Sequence, residues 1–226
     1  MKTGVTMHKM AVLACALVVV GVQPGRAMSA IEVMERAQER FARYRTFSAR
    51  IHKEFHWAAL DRSSSREGRM YLRRPDEFRV EMEDGSLVVA DGEAIWTYTP
   101  RNEQAIVSPY QADLQTPWEI LMDYSGRFRP IATEQAELDG RSCHLLIMEP
   151  YAETTQVVQL KVWIDRRRWY LRRVEQFETN GNVTTYTLRG VETDRRLDDS
   201  LFEFVVPEGT DIIDRRPAPP PANGGR

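Results

Sequence analysis

From Phe47 onward the apolar residues of this chain recur at every second position, in short runs with only a few residues between them. No other feature constrains the fold as much. Parallel neighbours need a crossover of about a dozen residues or more, and most of these breaks leave no room for one. Phe47, Ala49, Ile51, Phe55 and Trp57 alternate with Ser48, Arg50, His52, Glu54 and His56, interrupted only by Lys53. Asp61 to Ser65 reads as a polar turn. Gly68 to Arg73, Glu77 to Glu83, Ser86 to Ala90, Ala94 to Thr99 and Gln104 to Ser108 then read as strands. They are parted by Pro75-Asp76, Asp84-Gly85, Asp91-Gly92 and Thr99-Pro100-Arg101-Asn102, which are turn-forming residues. This half is an antiparallel meander. The pattern resumes at His144 to Glu149, Val157 to Ile164, Tyr170 to Glu178, Val183 to Val191 and Phe202 to Val205, with turns at Asp139-Gly140, Asp165-Arg166 and Asn180-Gly181-Asn182.

Two segments keep helical spacing instead. Ser29-Ala30-Ile31-Glu32 has the form of a capping box, and Ile31, Met34, Ala37, Phe41 and Tyr44 form a stripe behind it. Thr116-Pro117-Trp118-Glu119 places Thr at an N-cap, Pro at the first helical position and Glu at the third. Trp118, Ile120, Leu121, Met122 and Tyr124 make that helix apolar nearly all round, so it is expected to be buried or to face a cavity. About ten antiparallel strands in one sheet must curl or pack on something. The expected fold is mainly β with two or more helices: a single curled antiparallel sheet forming an incomplete, half-open β-barrel with a helical lid.

Residues 1–27 read as a secretory signal peptide. Lys2 and Lys9 precede the apolar stretch Met10 to Val22, and Gly25 and Ala27 supply small residues before the expected cleavage point. The stretch is too short to span a bilayer. The expected domain is 28–214, followed by a disordered Pro/Gly-rich tail at 215–226. The protein is expected in the periplasm as a monomer. With 31 basic and 33 acidic residues, and Lys2, Lys9 and Arg26 lost with the signal, the mature chain is acidic and unsuited to nucleic acid. Val12-Leu13-Ala14-Cys15 supports a competing reading as a lipobox, although only a short apolar run precedes Cys15 and a longer one follows it.

The search for chemistry finds no catalytic, cofactor or metal set. His52 and His56 are four apart, but they sit in an alternating strand and Glu54 is misplaced for a zinc helix. Cys143 and His144 are neighbours on a strand and point to opposite faces, which disfavours a nucleophile–base pair. Cys143 reads as a small apolar residue. What the periodicity does nominate is an apolar lining. Ile51, Phe55, Met70, Leu72, Phe78, Val80, Trp96 and Tyr98 are the inward candidates from strands, and Trp118, Leu121 and Met122 from the second helix. For each of them, ordinary core packing is the competing reading.

Four motifs in order resemble one family. Gly68, Tyr71, Arg74, Pro75 and Phe78 come first. Asp91, Gly92, Trp96, Tyr98, Pro100 and Gln104 follow. Thr116-Pro117 is third, and the closing run Leu201 to Gly209 (LFEFVVPEG) is last. Together they resemble the LolA family of outer-membrane lipoprotein carriers. The resemblance implies a hydrophobic cavity under a helical lid and no enzymatic activity or cofactor. It also implies the partners: acylated lipoproteins or lipids, an inner-membrane ABC-type transporter and an outer-membrane acceptor lipoprotein. It assigns Arg74 as a latch that donates hydrogen bonds to carbonyls of the lid helix and breaks when cargo enters. Arg73, on the opposite face, is then the expected silent neighbour. Asp139 to Asn182, with Cys143 and the basic turn at Asp165, departs from the best-known carriers. Other readings stay open: a lipid- or lipoprotein-sensing envelope regulator, an anchored acceptor if Cys15 is acylated, and an enzyme with an unrecognised site.

Overall fold

The computed structural model describes residues 27–110, 126–152 and 155–217. The helix expected at Thr116, with Trp118, Leu121 and Met122, lies outside the described residues, as do Cys15 and the end of the tail.

Helix α1 (Ala30–Ala42) begins at the expected capping box: Ser29 accepts from the Glu32 backbone and Glu32 from that of Ser29. Twelve strands among the described residues form one sheet. β1 (Thr46–Trp57), β2 (Arg62–Arg73), β3 (Glu77–Met82), β4 (Leu87–Asp91), β5 (Ala94–Thr99) and β6 (Gln104–Pro109) make one meander. β7 (Phe128–Leu138), β8 (Arg141–Pro150), β9 (Val157–Asp165), β10 (Leu171–Glu178) and β11 (Val183–Thr193) make the other. The two meanders join through β1 and β11, which pair antiparallel from Phe47 opposite Thr193 to His56 opposite Val183. The result is the expected open, curled sheet with a helix packed on one face.

The structure corrects several boundaries. Arg62 to Ser65 belong to β2 rather than to a turn, which is made by Ala58–Leu60 and by Asp61 at φ 46°. Serines there satisfy the ladder against β1, and exposure on that stretch removes the apolar alternation that marks a strand. β7 is an edge strand the alternation did not reveal. Pro130 sits in it beside a register irregularity, as proline can only at edges and bulges. Phe202 to Val205 is not a strand. Asp199–Phe202 is a short helical turn capped by Asp198, which accepts from the Ser200 backbone. A further short strand, β12 (Asp211–Asp214), pairs parallel with β6 and closes that edge.

Register separates two apolar layers. On the helix side, Phe47, Ala49 and Ile51 meet Met70, Leu72 and Phe78 across β1 to β3, and Leu146, Met148, Leu160, Val162 and Leu188 continue the layer through the second meander. Val33 and Phe41 of α1 are buried in it. On the opposite face, Val89, Trp96 and Val107 are cross-strand partners. There Trp96 and Tyr98 meet Phe204 at ring-centroid distances of 5.1 and 5.9 Å. The C-terminal segment therefore roofs the outer face of β3 to β5, while α1 roofs the inner face of the other meander.

Candidate functional site

The seam between α1 and the sheet is apolar on both sides. Met34, Ala37 and Phe41 face Leu146, Met148 and Val162, with Trp169 at the rim. The space between them is about 40 Å³, far below the ~300–1,000 Å³ of sites for drug-sized ligands. Any larger group could enter this seam only if α1 moved. Two sets of polar contacts hold it.

The first set is at the helix C-terminus, where the last carbonyls have no partner within the helix and the helix dipole is negative. Arg74, just past β2, reaches this end. Its Nε donates to the Tyr44 carbonyl at 3.1 Å and its Nη2 to that of Phe41 at 3.4 Å. Its guanidinium lies 5.1 Å from the centre of the Phe41 ring, and its backbone N–H donates to the Arg45 carbonyl at 2.9 Å. Phe41 in turn meets Phe47 edge-on at 5.9 Å, so the end that Arg74 grips is also packed into the core.

The second set lies along the helix. Arg36 places its guanidinium 4.6 Å over the Trp169 ring, and that ring stacks on His144 of β8 at 5.0 Å. Trp169 adopts φ 61°, sparsely allowed for a bulky side chain. Tyr44 Oη donates to the Arg168 carbonyl at 2.9 Å. Burial, then the charges of Arg166 and Arg36, hold the His144 imidazole below its ordinary range. A depressed histidine favours the folded protein fully above its unfolded pKa of about 6.5; that contribution falls as acid protonates it. Wild type should therefore lose thermal stability below pH ~6.5 more steeply than His144→Phe. Parallel stability–pH curves for the two proteins would show that His144 is not the titrating group.

The nominated lining residues fall into three groups. Ile51, Met70, Leu72 and Phe78 are buried on the helix side, and Val80 packs half-buried against them. They form the core beside the seam rather than its walls. Phe55 shares their face further along β1, edge-on to Trp57 at 4.6 Å, in a separate recess with Lys53 and Arg66. Trp96 and Tyr98 do not face inward: register puts them on the other face, under Phe204. Val33, Met34, Leu146, Met148 and Trp169 were not singled out as lining. Met34, Leu146 and Met148 sit in predicted elements with the right period; Val33 stands outside the expected stripe, whose first member, Ile31, is exposed, and Trp169 stands in a charged turn with no apolar pattern. His52 Nδ1 lies 2.6 Å from Glu67 and His56 Nδ1 3.2 Å from Ser63, both across the β1–β2 ladder. Cys143 is fully buried and burial raises its thiol pKa.

The profile of the family described as outer membrane lipoprotein carrier protein LolA matches residues 43–205. An outer-membrane lipoprotein carrier protein of Histophilus somni strain 129Pt is 28% identical over 152 residues, covering 66% of this chain and 71% of the relative. One from Shewanella loihica is 29% identical over 172 residues, covering 76% and 69%. An uncharacterized conserved protein of Thermus thermophilus shares the fold. Its crystal structure superposes with TM-score 0.56 at 16% identity, covering 82% of this chain and 99% of that one.

Proposed function

Because this chain belongs to the LolA family of outer membrane lipoprotein carrier proteins, we propose that it is a periplasmic carrier that shelters the acyl chains of lipoproteins or lipids beneath α1. Residues 28–214 act as one carrier domain after loss of the signal segment. Cargo arrives from an inner-membrane ABC-type transporter and leaves to an outer-membrane acceptor. The observation that carries this reading is the seam itself: two apolar surfaces in contact, tied together by a handful of polar contacts at the middle and the C-terminal end of a single helix. A permanent core has no need of so separable a roof.

The energetics suit exchange between sites. Each methylene withdrawn from water is worth about 0.8 kcal/mol, so acyl chains cannot cross an aqueous space bare. Passage between two apolar sites of similar depth costs little. A fluorescent fatty-acid probe is expected to bind the mature protein and to be displaced by an acylated peptide but not by its unacylated form. Probe binding no stronger than to an unrelated β-barrel protein would overturn the reading.

A further inference from the structure

The face turned away from α1 carries a row of like charges that neither the seam nor the C-terminal segment uses. Arg50 on β1 is paired in register with Arg69 on β2 and with Arg189 on β11. The three guanidinium-bearing side chains stand on adjacent strands of one face, and all three residues are exposed. Like charges set directly opposite each other weaken a sheet. None of the three has an ion-pair partner among the described residues. Of the acids that line the recess around the row, Glu81 pairs with Arg79 at 2.9 Å and Glu67 with His52 at 2.6 Å, and Glu83 is exposed to solvent.

The backbone makes a special arrangement for this row. Between Ser48 opposite Glu192 and Arg50 opposite Arg189, β11 carries one residue more than β1. The extra residue is a bulge at Gly190, which adopts φ 60°, a conformation glycine takes without strain. Without it, Arg189 would fall opposite Ile51 and point into the core. Around the row lies an open recess of about 710 Å³, whose walls include His52, Arg79 and Leu87.

We propose that this recess binds a ligand carrying two phosphate groups. Guanidinium forks match phosphate oxygens in pairs. Three of them offer about fifteen N–H donors, more than one carboxylate can accept. Adjacent strands are about 4.8 Å apart, so the row spans roughly 10 Å, enough for two phosphates side by side and too long for one. The recess is walled by acids as well as bases, which suits a discrete group, free or at the head of a lipid, over diffuse negative charge. Two sources offer this chemistry: a free diphosphate, and a membrane lipid whose headgroup holds two phosphodiesters. The site is independent of the carrier reading.

The test uses the mature protein with inorganic pyrophosphate, and with cardiolipin vesicles against phosphatidylcholine vesicles. Pyrophosphate should raise the melting temperature saturably relative to chloride at equal ionic strength, or cardiolipin vesicles should retain the protein where phosphatidylcholine does not. The first result alone assigns a free diphosphate, and the second a lipid headgroup. Either response should weaken at least about ten-fold in Arg50→Gln/Arg69→Gln, which removes two charge-assisted contacts. That variant should still take up the fatty-acid probe, because both side chains lie on the far face. No response to either phosphate source overturns the proposal. So does a response the double variant keeps, or tighter binding to a polyglutamate peptide than to pyrophosphate.

Discussion

Arg74→Leu is expected to fold and to load with lipid, yet to pass that lipid to an acceptor roughly ten-fold or more slowly than wild type. Its guanidinium links the end of β2 to the Phe41 carbonyl in the last turn of α1 and to the Tyr44 carbonyl just beyond it. A hydrogen bond to a charged group is worth about 1.5–3 kcal/mol, and about 1.4 kcal/mol is a factor of ten in an equilibrium. If re-forming these bonds helps α1 settle back on the sheet, their loss leaves cargo in place and takes away part of the drive for release. Arg74→Lys should recover only part of the rate, since an ammonium lacks the fork that reaches two carbonyls at once. Arg73 is not the silent control that its neighbouring position suggested. It pairs with Glu77 and Asp199 and lies 4.6 Å over Phe202. Arg62, exposed at the far end of β2, is the better one. Donor-to-acceptor transfer by Arg74→Leu and Arg62→Leu at the same rate would refute the latch.

What could be read in advance follows from how each residue is buried. β1 to β6 alternate because one face meets a core and turn residues stand between them, so their order was legible down to the helix-facing residues of β1 to β3. Arg74 was legible too, because Pro75 ends the strand there and the motif around it resembles the carriers. β5 shows where alternation fails. Ile95 and Trp96 are adjacent and both apolar, since one faces the helix side and the other lies under Phe204. With apolar residues on both faces, period two cannot say which is inside. Phe202 to Val205 misled for a related reason: Phe202 and Phe204 are apolar because they cover a sheet, not because they join one. Trp169 was illegible in a different sense. It sits among arginines, and its role arises from Arg36 and His144 on distant parts of the chain. β7 and β12 lie at sheet edges, where one side of the ladder is open and little patterning is needed.

Phe202→Ala should be the most damaging single change on the outer face, lowering stability by about 3–5 kcal/mol. Phe202 is only 2% exposed although it belongs to a four-residue helical turn. Arg73 lies over its ring and is itself fixed by Glu77 and Asp199, and Arg79 donates to the Leu201 carbonyl at 3.2 Å. Removing the ring empties the space beneath this clamp, and so short a turn has few other contacts with which to collapse into it. For a domain of this size each kcal/mol shifts the melting temperature by roughly 2–4 °C, so a drop on the order of 6–20 °C is expected. Arg73→Leu should cost less, because the leucine keeps apolar cover over the ring and one of the lost acidic partners, Asp199, is largely solvent-facing, where such pairs contribute little. Below its own melting temperature, Phe202→Ala should bind the fatty-acid probe like wild type, because the ring and the α1 seam lie on opposite faces. A melting temperature within about 2 °C of wild type would show that the C-terminal segment adds little to the fold. Loss of probe binding while the protein is still folded would show that the two faces are coupled through the sheet.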